Sequence, residues 1–124
     1  MDGSESPIYE IKTKEDVARL TDKYVYAVIL LKSEGCGHCI EAKKSFREKA
    51  KTIRKVGLGL ADFNECYNEG FVFEDQKGNK ITSYPTYFMY NRGRLAGVYI
   101  GHSDDVDKAI LNYENAASRS SFSK

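Results

Sequence analysis

The sequence predicts an α/β domain in which helices flank a central sheet, and three observations carry that prediction. Residues 25–31 form the longest apolar run; it has the length of a strand, and it does not alternate, as befits a strand covered on both faces. Directly after it, Cys39, Ala42, Phe46, Ala50 and Ile53 recur at helical spacing, with lysines and arginines opposite. Finally, strand and helix signals alternate along the chain, the pattern of a layered α/β domain. A chain of 124 residues suffices for one core and is too short for two.

Taken in order, residues 8–11 alternate as a short half-buried strand. Thr13 caps a helix with Asp16 as its capping-box partner, and Val17 and Leu20 face the core. The central strand covers 24–31, and residues 32–35 turn the chain into a helix over 36–55. A further buried strand spans 57–63. Residues 64–83 carry Gly70, Gly78 and the turn Lys77-Gly78-Asn79-Lys80 but no helical stripe, so they read as an irregular link, with a small hairpin pairing 71–73 with 80–81. Strands at 86–90 and 95–100 are joined by the hairpin loop 91–94. Ser103 caps a last helix whose first turn is acidic and whose buried face is Val106, Ala109, Ile110 and Tyr113. The domain is expected over 8–115, with polar tails at 1–7 and 116–124.

Positive and negative charges nearly balance, at a formal net +1, so neither nucleic acid nor a membrane surface is indicated as a partner. The apolar run at 25–31 is far short of a membrane span. No signal peptide or retrieval signal is expected in the polar ends. Three cysteines are an odd number, which argues against a disulfide scaffold and leaves Cys66 over, expected in a loop as a bystander.

Cys36-Gly37-His38-Cys39 is the stretch that names a chemistry. Two thiols at this spacing can close a small disulfide ring at the start of a helix, the first exposed and the second turned inward. The helix N-terminus puts partial positive charge beside Cys36 and favours its thiolate. His38 can carry positive charge there too, which stabilises the reduced form and favours donating a disulfide over holding one. The competing reading is half of a zinc site, but only Cys66, His38 and His102 remain to complete four ligands, and His38 lies inside the loop. No metal is therefore expected.

With Tyr84-Pro85-Thr86 before a strand pair and Asn91-Arg92-Gly93 in a hairpin, the chain resembles thioredoxin-fold proteins over residues 8–114. Its motif is similar to that of the catalytic domains of protein disulfide isomerases. The resemblance implies a mixed sheet of about five strands flanked by helices, and a cis peptide bond before Pro85. It implies that Cys36 attacks, Cys39 resolves, Gly37 and His38 set the potential, and Tyr84, Pro85 and Gly35 border the substrate. It also implies protein or peptide thiol and disulfide substrates, a redox partner protein or glutathione, no cofactor, a monomer, and an oxidising compartment such as the endoplasmic reticulum.

Departures from the family pattern accompany the match. The buried acid six positions before the first cysteine is Leu30, and its lysine partner falls near Leu60. Gly35 replaces the usual Trp, Lys44 the helix-kinking proline, and the irregular link 64–83 the third helix. His102, after Gly101, stands where family members carry an arginine, and is a candidate to take the Cys39 proton in place of the missing acid. The function expected is thiol–disulfide exchange of the oxidase or isomerase type. The alternatives are a thioredoxin-like reductase and a thioredoxin-fold binding module with weak redox activity.

Overall fold

Strand β2 (Tyr26–Lys32) is the middle strand of the sheet. A computed structural model describes residues 7–119 and orders five strands as β1-β3-β2-β4-β5, with β1 (Ile8–Ile11), β3 (Gly57–Asp62), β4 (Thr86–Asn91) and β5 (Arg94–Ile100). Pairings of β3 with β1 and β2 are parallel, and those of β4 with β2 and β5 are antiparallel. The central place of β2 explains why Ala27 to Leu31 are all buried.

Alternation along the strands sends residues to two separate cores. Val28 and Leu30, with Leu58, Tyr87 and Met89, pack under Ala42 and Phe46 of α2 (Gly37–Lys49) and Val106 and Ile110 of α4 (Asp104–Arg119). Ala27, Ile29 and Leu31, with Ile11, Ala61 and Phe88, meet Leu20 of α1 (Lys14–Lys23) and Cys66 of α3 (Phe63–Asn68). Gly59 lets α1 approach closely: a Cβ there would lie 2.9 Å from Ile11 Cγ1 and 3.1 Å from Leu20 Cδ2. The Thr13–Asp16 capping box forms as the sequence predicts.

Several boundaries differ from the expectation. Helix α2 stops at Lys49 rather than 55. The backbone amides of Arg54 and Lys55 instead donate to the Glu114 carboxylate of α4, at 3.1 and 2.7 Å. Ala50 and Ile53 stay buried beyond the helix end, which is why their stripe mimics a longer helix. The strand expected to reach 63 ends at Asp62, whose carboxylate accepts from the amides of Asn64 and Glu65 at 2.9 and 3.2 Å and so caps α3. The link read as free of helix therefore opens with one, and Cys66 lies on it rather than in a loop. The hairpin expected between 71–73 and 80–81 is reduced to a Glu74–Lys80 bridge beside an Ile81-to-Phe73 backbone bond of 3.1 Å. Phe71, Phe73 and Phe88 pack in series as tilted rings at 4.7 Å centroid spacings and hold this link to the sheet. Finally, α4 runs on to Arg119, past the expected start of the tail at 116; residues 1–6 and 120–124 lie outside the described residues.

Candidate active site

The turn after β2 delivers Cys36 to the N-cap of α2, with Gly35 at φ +78° supplying the left-handed backbone this exit requires. Cys36 and Cys39 form a disulfide, their Cα atoms 5.3 Å apart. The backbone amide of Cys39 donates to Cys36 Sγ at 3.2 Å, so the first sulfur occupies the position of an N-cap oxygen. An amide aimed at the sulfur and the helix dipole both favour negative charge there once the bond is broken.

The two sulfurs differ in access. Cys39 is 3% exposed and belongs to the buried face of α2, whereas Cys36 is half-buried at the edge. Gly37 and His38 between them are exposed, as is Ile40. Across the site the Tyr84–Pro85 peptide is cis, and the Tyr84 carbonyl oxygen lies 3.5 Å from Cys36 Sγ. Pro85 itself is buried, and its carbonyl accepts from the Gly101 amide at 2.7 Å. The structure thus brings together Cys36, Cys39, Tyr84 and Pro85, with Gly35 at the turn.

His102 sits one residue beyond that last bond, but its ring is exposed and its Nδ1 lies 2.7 Å from the Tyr87 hydroxyl. Tyr87 is paired with Leu30 across β2 and β4 and is fully buried apart from this contact. The contact His102 makes is therefore with Tyr87, not with a sulfur. Cys66 is on the other face of the sheet, 1% exposed, with its thiol donating to the Ile11 carbonyl at 3.5 Å. Burial, with the Asp62 and Glu65 charges adding to it, pushes the Cys66 thiol up to about 11.

An ion pair near the sulfurs escaped the reading of the sequence. Leu30 and Leu60 are direct partners between β2 and β3, and two residues further along the same two strands Lys32 faces Asp62. Lys32 Nζ and Asp62 Oδ2 are 2.8 Å apart, with side chains 23% and 10% exposed. Burial works against ionising Asp62, yet the Lys32 ammonium and the Glu65 and Asn64 amides outweigh it and hold its carboxyl below the ordinary value. Lys32 also lines a cavity of about 360 Å³ with Cys36, Gly37, Cys39, Ile40 and Lys43. The signal in the sequence was a shift of two: strand alternation puts 30 and 32, and likewise 60 and 62, on one face.

No protein-family model matches the chain, and no curated protein matches it by sequence. Solved structures do match. Thioredoxin of Malassezia sympodialis superposes with a TM-score of 0.71 at 19% identity, covering 90% of this chain and 94% of its own. Plasmodium falciparum thioredoxin gives 0.70 at 21% identity, covering 86% and 99%. The short form of spinach chloroplast thioredoxin f gives 0.70 at 18% identity, covering 95% and 99%. With the sheet order and the helices on both faces, these similarities establish that the chain has the thioredoxin-like fold, carrying a Cys36–Cys39 disulfide at the start of its second helix.

Proposed function

We propose that the protein is a thiol–disulfide oxidoreductase of the oxidase or isomerase type, acting on protein or peptide substrates. The observation that carries this reading is the asymmetry of the pair: a half-exposed Cys36 sulfur at a helix N-terminus, backed by a buried Cys39. In the reduced protein the Cys36 thiolate attacks a substrate disulfide, forming a mixed disulfide and expelling one substrate thiolate. Cys39, deprotonated, then attacks the Cys36 sulfur, closes the Cys36–Cys39 bond and releases the second substrate thiolate. Two electrons pass to the substrate, and each expelled thiolate takes a proton from solvent. Run backwards, the same two steps donate a disulfide.

Supporting parts surround this chemistry. The Tyr84 backbone beside Cys36 offers hydrogen-bonding groups to an extended substrate segment, as strand addition requires. His38, exposed in the first turn of α2, sets the potential by favouring the Cys36 thiolate. His102 takes the Cys39 proton in this reading only by leaving the Tyr87 hydroxyl; in place, it steadies the loop behind Pro85. Glutathione or a redox partner protein resets the pair, and an oxidising compartment suits the direction proposed.

One observation favours a second reading, a binding module with weak redox activity: Leu30 faces Leu60, so the pair of strands offers no acid at that level to the resolving step. Reactivation of a scrambled, disulfide-containing protein tests the first reading. Catalysed reactivation that disappears with Cys36→Ser is the expected result; reactivation no faster than glutathione alone would favour the binding module.

A further inference from the structure

We infer that Lys32, held by Asp62, is a positioning residue for the resolving thiol: its side chain lines the cavity that Cys39 lines, and its charge stabilises the Cys39 thiolate. The inference rests on the redox reading of the Cys36–Cys39 pair. Three observations carry it. Lys32 and Cys39 share the cavity of about 360 Å³. Leu30, two residues before Lys32 in β2, and Ala42 and Phe46 of the Cys39-bearing helix share one core, so the Lys32 side chain is directed to the α2 face. The 2.8 Å contact with Asp62, itself bound by the α3 amides at 2.9 and 3.2 Å, fixes an otherwise flexible side chain beside the site.

Lys32 alone among the cavity's charges is fixed in this way. Lys43 of α2 lines the same cavity without an ion-pair partner among the described residues, and Glu34 adds a negative charge at the turn. Lys32 and Lys43 also line a second cavity, of about 350 Å³, together with Asp62, Glu10, Arg47 and Glu65. A positive charge next to a buried thiol favours its ionised form, offsetting the burial that disfavours it. Asp62 stays ionised and keeps the ammonium in place, its carboxyl held low against burial by Lys32 and the two amides.

The chemistry is the resolving step. The Cys39 thiol gives its proton to solvent entering the cavity; the thiolate attacks the Cys36 sulfur of the mixed disulfide. The Cys36–Cys39 bond forms, the bond to the substrate sulfur breaks, and the substrate thiolate takes up a proton. Lys32 transfers nothing; it lowers the cost of the thiolate.

The test uses the full reduced chain and two readouts. The first is the pH midpoint of Cys39 alkylation in a Cys36→Ser background, located by peptide mapping. The second is the rate at which the chain with glutathione attached at Cys36 releases it. Lys32→Met is expected to raise the midpoint by about one pH unit and to slow release about tenfold at neutral pH, the correspondence between proton occupancy and pH. Lys32→Arg should restore most of both, and Lys43→Met should change them less. Lys32→Gln serves if the Met variant does not fold. An unchanged midpoint and release rate in Lys32→Met or Lys32→Gln would overturn the inference, as would an Arg variant no better than Met. Neither readout needs substrate turnover, so a wild type that fails to catalyse exchange sinks the proposed function while leaving this inference to its own result.

Discussion

Cys39 and Cys66 are both buried, both carried on helices, and sit on opposite faces of one sheet, yet their chemistry differs completely. Cys39, 3% exposed, is bonded to Cys36 and borders a cavity with Lys32 and Lys43. Cys66, 1% exposed, has the Ile11 carbonyl for its thiol and the Asp62 and Glu65 charges nearby. Burial raises the cost of either thiolate. What separates them is the sign of the neighbouring charge and the presence of a second sulfur at a helix N-terminus. Asp62 serves both faces: its charge opposes ionisation of Cys66, and its carboxylate holds the lysine beside Cys39.

The largest expected effect comes from Cys36→Ser, which should abolish turnover, while Cys66→Ala leaves turnover unchanged; parallel exchange assays check both. Next, Cys39→Ser should retain attack but accumulate mixed disulfides with substrate, seen as mass adducts on Cys36. Adducts on Cys66 instead would break the comparison. Smaller again is His102→Ala, whose ring rests on Tyr87: stopped-flow measurement should show the resolving step slowed less than in Lys32→Met, with Cys36 alkylation unchanged.

The smallest effect concerns stability. Cys66→Ala removes a sulfur from the α1/α3 core and should cost about 1 kcal/mol, as small core truncations do, read by urea unfolding. Because the Cys66 thiol is raised from 9.0 to about 11 in the folded chain, its share of stability is complete below pH 9. Above that the unfolded chain ionises first and binds fewer protons, so stability is lost as the pH rises to about 11. The alanine variant should lack that loss.

The sequence made the frame of the molecule legible because its signals are local. Apolar runs at β2 and β3, the Thr13–Asp16 box and the Cys36 turn each act within a few residues. The turn of β4 into β5 was legible too, though tighter than expected: Arg92 and Gly93, at φ 53° and 83°, alone connect the strands. Features that depend on distant partners were hidden. Helix α2 ends at Lys49, and the amides of 54 and 55 go to Glu114, sixty and fifty-nine residues away. Helix α3 is six residues long and exists through its Asp62 cap and the burial of Cys66, a span too short for periodicity to reveal. Within the site, the disulfide partners and Tyr84–Pro85 were readable from motifs, but the Lys32–Asp62 pair needed the register of β2 against β3. Leu30 faces Leu60 and Lys32 faces Asp62 in one register, and a reading of either strand by itself does not say which residues meet across the two.

Equilibration of the full chain with glutathione redox buffers, followed by mass spectrometry of all three cysteines, measures the difference between the Cys36–Cys39 pair and Cys66. Cys36 and Cys39 are expected to oxidise together with a reduction potential near the isomerase value of roughly −180 mV, while Cys66 stays unmodified. A pair potential at or below thioredoxin's, roughly −270 mV, or oxidation of Cys66 before the pair, would contradict it.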